Sequence, residues 1–456
     1  MIKIVIWNKW SWLQAPDYIL RKVSEALSYE VPNARYTYDK IEVKTLLSKK
    51  NAFKTGFLQR VVKVLSDAEV SFDLDDKRNN VYKVDDVVLT LPCGELRPYQ
   101  KNIVSTIFRE SPLIWYRGII DAATNAGKNW VICAAALTAL KAGSRVAITV
   151  HRVELFKQLY DFLTENGIEV SRYGTYGNKP FRDLGECTLF MVPTAVGHLM
   201  ETKLKYHLAG VGTVFVDEAH RSQGDAYKEV LAEMDAAAVI FLSGTPFTGH
   251  YLNDLHIIGD SFEVIAKITN KDLIGEGVSQ LPTVHFKSLK GWSYAPTYED
   301  ELLEITFSDE RLQIIKNEIL THQDRIYLIC VLTKEHGFEL LSNLISLPLV
   351  VDFIYSDDPD RARKLQDYKE GRIQVLITTE VLKEGVNMPL INTLINAAWG
   401  KSIVWVKQFV GRLIRHDGVN DECTVIDFLD VGHKTREQSL VRLKYYQDEG
   451  FKIITE

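Results

Sequence analysis

The sequence predicts an α/β protein in which two tandem parallel-sheet domains follow a small α/β N-terminal domain. Three observations carry that expectation. Continuous apolar runs of strand length alternate with helix-length patterns in two separate series, as expected of parallel strands buried on both faces. Only the first series contains a lysine-bearing loop of phosphate-binding type, so one domain should carry the ligand and the other should complete the site. The 456 residues also exceed what one hydrophobic core usually organises, which is about 250–300 residues.

Taken in order, residues 1–90 open with the strand-like run Ile2–Trp7. A helical pattern over Pro16–Leu27, an amphipathic helix pattern over Phe53–Leu65 and a strand at Val70–Leu74 follow. Residues 91–250 form the first sheet domain, read from Val131–Leu140, Arg145–Val150, Leu155–Glu165, Cys187–Pro193, Thr213–Val216 and Val239–Leu242. Residues 251–310 read as a connecting segment, because Tyr251–Pro296 is richer in Gly, Asp and turn signals. Residues 311–431 repeat the alternation through Ile326–Cys330, Gly337–Leu344, Val350–Tyr355, Ala362–Glu370, Val375–Thr378, Thr393–Ala397 and Cys423–Leu429. Residues 432–456 read as a helical tail, polar and basic over Thr435–Tyr446. In sheets of this kind ligands sit at the carboxyl ends of the strands.

Composition narrows the classes. Hydrophobic residues at 46% and charged residues at 25% are ordinary for a globular chain, and no apolar run approaches the roughly 20 residues of a membrane span. The first apolar run stops at Trp7-Asn8-Lys9, too short for an export signal, so a cytoplasmic location without a membrane partner is expected. Five scattered cysteines without a Cys-x-x-Cys pair read as buried, reduced thiols rather than a disulfide frame or zinc site. A net charge of -6 gives no global sign of a polyanionic partner. Locally, however, Lys40, Lys44, Lys49, Lys50, Lys54, Arg60 and Lys63 are accompanied only by Glu42, which makes a phosphate-contacting surface or a solvated helical face.

The chemistry centres on Ala122-Ala123-Thr124-Asn125-Ala126-Gly127-Lys128-Asn129, just before the helix pattern Trp130–Leu140. A loop opening a helix offers unpaired N–H groups to phosphate oxygens, and a lysine there reaches the β- and γ-phosphates, so Lys128 is the candidate triphosphate ligand. Three positions depart from the usual pattern. Ala122 stands where the first glycine is expected, Asn125 occupies an internal turn, and Asn129 replaces the Ser or Thr that contacts Mg²⁺. The apolar strand Thr213–Val216 ends in Asp217-Glu218-Ala219-His220, where Asp217 can hold the metal and Glu218 can orient and deprotonate water. Ser243 and Thr245 follow another apolar strand and can bond to that acidic pair. In the second domain Arg412 and Arg415 lie three apart, on one face if helical, and can fork onto the transferring phosphoryl or simply make surface salt bridges. Arg152, Thr194, Thr378 and Thr379 lie just beyond apolar strands, where they could meet a phosphodiester backbone or cap helices.

Together these pieces resemble the superfamily 2 helicases that carry an Asp-Glu-Ala-His box. The matching stretches are Leu96-Arg97-Pro98-Tyr99-Gln100, Ala123–Asn129, Thr149–Arg152, Pro193-Thr194, Val216–His220, Ser243–Pro246, Thr378–Pro389 and Gln408–Arg415. Phe53-Lys54-Thr55-Gly56-Phe57-Leu58 is similar to the leading domain of bacteriophage recombination and branch-migration helicases. The resemblance implies two RecA-like domains using ATP and Mg²⁺. In that scheme Arg97 and Gln100 serve the adenine, Thr124–Asn129 and Gly385 the nucleotide, and Asp217 and Asn129 the metal. His220, Ser243 and Thr245 couple hydrolysis to motion, while Lys49, Lys50 and Lys54 join the nucleic-acid contacts. It implies 3′-to-5′ tracking on DNA, with forks, four-way junctions or partial duplexes as partners and the leading domain gripping duplex. Three alternatives stay open: a duplex translocase that does not separate strands, an RNA helicase, and an ATP-gated binding scaffold with weak turnover. The oligomeric state is open, with a monomer as the working expectation.

Overall fold

A computed structural model describes residues 2–32, 41–109, 116–176, 179–247, 251–379, 391–397, 403–414 and 423–456. Lys40, Glu380–Pro389 with Gly385, and Arg415 lie outside the described residues, as do the side chains of Gln408 and Arg412. The chain divides into two compact units, residues 1–122 with 127–267, and residues 123–126 with 268–456.

The first unit begins with a four-stranded sheet of β1 (Ile2–Ile6), β2 (Trp10–Gln14), β5 (Ala52–Lys54) and β6 (Phe72–Asp76), in the order β5-β2-β1-β6. Strands β3 (Ser28–Pro32) and β4 (Ile41–Thr45) pair antiparallel as a separate two-stranded sheet. Helices α1 (Asp17–Ala26) and α2 (Leu58–Asp67) supply the core for Ile2, Ile4, Ile6 and Leu13, the residues on one side of the pleat. The helix expected over Phe53–Leu65 starts at Leu58 instead. Phe53 pairs with Ser11 in the sheet, the Thr55 hydroxyl donates to the Trp7 carbonyl at 2.8 Å, and Thr55–Phe57 forms one tight 3₁₀ turn. A Cβ at Gly56 would stand 2.6 Å from the Gly259 oxygen and closer still to the Ile258 oxygen, so this turn needs glycine.

A short hairpin, β7 (Thr90–Leu91) and β8 (Gly94–Glu95), leads through α3 (Pro98–Ile107) into an eight-stranded sheet. Its strands are β9 (Arg117–Ala122), β10 (Val146–Val150), β11 (Val170–Tyr176), β12 (Lys179–Arg182), β13 (Cys187–Met191), β14 (Thr213–Asp217), β15 (Ala238–Ser243) and β16 (Val264–Ile268). The order is β12-β11-β13-β10-β14-β15-β9-β16, with β11 through β9 parallel and β12 antiparallel at the edge. Strands β10, β13, β14 and β15 are buried at every residue, which is why they read as unbroken apolar runs. The helices are α4 (Lys128–Lys141), α5 (Val153–Glu165), α6 (Val192–Val196), α7 (Thr202–Ala209), α8 (Asp225–Glu233) and α9 (Tyr251–Asp260).

The N-terminal sheet is fastened to this domain by polar contacts that the sequence does not announce. The buried Arg117 guanidinium donates to the carbonyls of Asn8 at 2.9 Å, Asp260 at 2.7 Å and Ser261 at 3.1 Å. Burial pulls its pKa down to about 10, partly offset by the Asp260 charge. Asn8 donates in turn to the Asp235 carbonyl at 2.6 Å, and Lys54 pairs with Asp260.

The second unit holds a seven-stranded, wholly parallel sheet of β17 (Thr283–Ser288), β18 (Tyr327–Cys330), β19 (Val351–Ile354), β20 (Val375–Thr378), β21 (Thr393–Asn396), β22 (Thr424–Leu429) and β23 (Lys452–Thr455). The order is β19-β20-β18-β21-β22-β17-β23. Around it run α10 (Asn270–Gly275), α11 (Tyr298–Thr306), α12 (Asp309–Thr321), α13 (Lys334–Leu344), α14 (Arg361–Lys369), α15 (Ile403–Leu413) and α16 (His433–Asp448). Two expectations need correction here. The segment expected to connect the domains supplies β16 to the first sheet and β17 to the second, because its short apolar runs pair as strands. The expected tail is part of the second core: α16 buries Thr435, Ser439, Arg442, Tyr445 and Tyr446, and β23 pairs with β17.

Cys133, Cys187, Cys330 and Cys423 are buried thiols as expected, whereas Cys93, at the tip of the β7–β8 hairpin, is exposed. Among the described residues no helix is long and apolar enough to cross a membrane.

Candidate functional site

Three neighbouring strands of the first unit end side by side. The register β14–β15–β9 pairs Asp217 with Leu242 and Ser243 with Asp121, so two carboxylates and a serine share one carboxyl edge of the sheet. Beyond β9 the chain turns through Ala123–Gly127 into α4. Asn125 and Gly127 both adopt left-handed backbone, at φ 74° and 71°, conformations that asparagine tolerates and glycine accepts freely. Gly127 is required twice over, since a Cβ there would collide with the Gln100 amide nitrogen. Gln100 is buried in the first turn of α3, and its Oε1 accepts from the Arg97 N–H at 2.9 Å, which fixes the amide beside the loop. Residues 123–126 group with the second unit, in which Asn125 Nδ2 donates to the Gly411 carbonyl at 2.6 Å.

Lys128 begins α4, and its Nζ lies 3.7 Å from Glu218 Oε1. Burial works against the ammonium, but the charges of Glu218, Asp217 and Asp121 outweigh it and hold the lysine pKa above its usual value. Asp217 shifts the opposite way to an ordinary carboxylate. Burial and the adjacent Glu218 charge push its pKa up, against the pull of Lys128, the Glu218 N–H and His151. The Glu218 N–H donates to Asp217 Oδ1 at 3.0 Å, and Glu218 itself sits in left-handed backbone at φ 52°. For a residue with a Cβ that is a strained conformation, and such outliers concentrate at functional sites.

The acidic pair connects onward. Glu218 Oε2 lies 3.5 Å from His220 Nδ1, which is 3.2 Å from Ser243 Oγ, and that oxygen accepts from the Thr245 N–H at 3.1 Å. A continuous polar path therefore runs from the Lys128 ammonium to the loop after β15. Asp121, which sequence reasoning missed, adds a third carboxylate and faces Lys267 at 3.5 Å. Two lysines face three carboxylates here, an excess of negative charge that a divalent cation shared with phosphate oxygens would relieve. Asn129 stands on the first turn of α4, half-buried, with a side chain that makes no hydrogen bond among the described residues.

The remaining candidates fare differently. Arg152 precedes α5 at its N-cap and Thr194 lies in α6, both half-buried. Thr378 is fully buried, its hydroxyl donating to the Thr379 carbonyl at 2.9 Å, and Thr379 is also buried. Lys49 and Lys50 are exposed, while Lys54 is engaged with Asp260. A separate cavity of about 280 Å³ in the first unit lies away from Lys128. Its lining includes Trp10 and Lys54 together with Val214 and Val239, near the amino ends of β14 and β15.

Residues 94–248 match the family described as type III restriction enzyme, res subunit, and residues 310–417 match the helicase conserved C-terminal domain. A protein of Sulfolobus islandicus filamentous virus named as a helicase is 22% identical over 389 residues, covering 79% of this chain and 69% of its own length. The ATP-dependent DNA helicase RecG of Staphylococcus aureus is 24% identical over 405 residues, covering 83% of this chain, and the chain spans 52% of RecG. Among solved structures, Saccharomyces cerevisiae Dbp5 bound to RNA and ADP BeF3 shares the fold, with a TM-score of 0.52, 18% identity, and coverage of 79% of this chain and 89% of that one.

Proposed function

Because the chain belongs to superfamily 2 of the helicases, we propose that it is an ATP-driven DNA motor that tracks one strand 3′-to-5′ and unwinds or remodels forks and four-way junctions. The observation that carries the reading is the unbroken path Lys128–Glu218–His220–Ser243–Thr245 at the carboxyl edge of the first sheet. The similarity to RecG supports DNA as the substrate.

In this reading the N–H groups of Thr124–Gly127 and the start of α4 cradle the phosphates, and Lys128 neutralises their charge. Gln100, with Arg97, recognises the adenine, and Gly385 allows close approach to the nucleotide. Asp217, helped by Asn129, would hold Mg²⁺, which when bound supplies positive charge to the β- and γ-phosphate oxygens. Glu218 orients a water for in-line attack on the γ-phosphorus and takes its proton as ADP departs. Arg412 and Arg415 would stabilise the charge of the transferring phosphoryl. Loss of the γ-phosphate changes what Glu218 bonds, and His220, Ser243 and Thr245 relay that change to the strand-holding residues Arg152, Thr194, Lys49 and Lys50; the burial of Thr378 and Thr379, and the internal hydrogen bond of Thr378, take those two out of the strand contacts expected of them.

ATPase assays of Lys128→Ala and Arg415→Ala, with and without DNA, test the mechanism. Each variant should lose DNA-stimulated turnover by at least about 100-fold, the scale of removing an electrostatic stabiliser of the transition state. Full stimulated turnover in both variants rejects the proposal.

A further inference from the structure

The N-terminal sheet has one covered face and one open face. Strand β2 alternates along Trp10-Ser11-Trp12-Leu13-Gln14, with Ser11 and Leu13 buried and Trp10, Trp12 and Gln14 pointing outward. Trp7, in the turn before β2, joins them, its ring 6.4 Å from that of Trp12 and edge-on to it. Trp7, Trp10 and Trp12 are 42%, 42% and 39% exposed, so three of the eight tryptophans in the chain share one solvent-facing patch. Indole is among the costliest side chains to leave in water, and a contiguous exposed aromatic patch marks an interaction surface.

Charge indicates the partner. Strand β5 pairs with β2, setting Trp12 opposite Ala52, and the turn leading into β5 carries Lys49 and Lys50, both exposed and outside any ion pair among the described residues. Leu13 also bonds to the Asn51 carbonyl at 3.0 Å, which holds that lysine turn alongside the tryptophan strand. Aromatic rings flanked by unpaired lysines match an unpaired strand, whose bases stack on rings while phosphates meet ammonium groups. Duplex DNA has its base faces buried within its own stack and cannot use the indoles.

We propose that Trp7, Trp10 and Trp12 form a stacking platform for unpaired bases of a single DNA strand, with Lys49 and Lys50 holding its phosphates. The inference rests on the DNA-motor reading and deepens it: the N-terminal domain grips the strand that has left the duplex. Stacking is indifferent to base identity, so the platform grips without reading sequence.

The test measures binding of labelled oligothymidylate and of blunt duplex by fluorescence anisotropy, using the full chain without nucleotide. Trp12→Ala should weaken oligothymidylate binding by at least about fivefold, the lower bound for losing one stacked base, and leave duplex binding and the salt dependence unchanged. Trp12→Phe should retain most of the affinity, because a phenyl ring still stacks. Lys49→Ala combined with Lys50→Ala should instead flatten the salt dependence. In the unaltered chain, oligothymidylate should quench tryptophan fluorescence, a readout that does not depend on any variant folding. Single-strand affinity unchanged in Trp12→Ala, an equal loss for single strand and duplex, or tighter binding of oligouridylate through the same rings each overturns the proposal. Unchanged binding in Trp12→Ala together with lost ATPase in Lys128→Ala removes this inference alone. Retained ATPase in Lys128→Ala with lost binding in Trp12→Ala removes the motor reading instead.

Discussion

Position 129 places an amide where phosphate loops of this type carry a hydroxyl, at the start of the helix behind Lys128. An amide oxygen can ligate a hard cation, but it sits on a longer, bulkier side chain and brings an NH₂ group that repels the metal. Asn129→Thr should therefore lower the Mg²⁺ concentration needed for half-maximal ATPase, measured by magnesium titration at saturating ATP. A superimposable titration removes that account of residue 129. Much of the surrounding site was legible from sequence because each residue follows an unmistakable apolar strand: Asp217 and Glu218 after Thr213–Val216, Ser243 after Ala238–Leu242. Asp121 was not legible. It is a lone carboxylate near the end of a strand, and only the pairing of β9 with β15 sets it beside Ser243. The left-handed backbone of Glu218 was equally invisible, since nothing in the residue type predicts it.

Elements were misread where tertiary partners override local pattern. Phe53, Phe57, Leu58, Val61 and Leu65 do follow helical spacing, and all are buried, but Phe53 and Thr55 are captured by β2 before the helix begins. The helix α16 misleads in the opposite sense. It reads as a polar tail because the groups it buries are themselves polar: Arg442 forks onto Asp427 at 2.9 and 3.0 Å, and the same carboxylate accepts from Tyr446 at 2.8 Å and from Asn396 at 3.0 Å. Asp427 and Arg442 are both almost completely buried. Removing one partner of such a pair strands the other charge, at a cost of about 3–5 kcal/mol. Arg442→Met should show a loss of that size in denaturant unfolding followed by a probe in the second unit. A change below about 1 kcal/mol would mean that Tyr446 and Asn396 alone satisfy the carboxylate.

At the scale of the whole molecule, fold class was legible because two parallel sheets impose two series of uniformly apolar strands, whereas substrate choice depends on local surfaces that bulk composition averages away. A chain of net charge -6 cannot hold a polyanion by overall attraction, so the proposed motor would draw its affinity from local basic surfaces, for which the Lys49–Lys50 turn is the candidate. Few phosphate contacts give weak binding to any uniform stretch of nucleic acid, and they favour structures offering duplex and unpaired strand together. Stimulation of ATP turnover should therefore rank forked and four-way DNA above blunt duplex and above single strand, with RNA versions of each weaker, and the ranking should persist as salt rises while absolute stimulation falls. Measuring turnover across that panel decides between readings that share one motor core. Blunt duplex outperforming the fork would favour translocation without strand separation, RNA outperforming DNA would make the polymer wrong, and turnover near zero on every substrate despite binding would leave a nucleotide-gated scaffold.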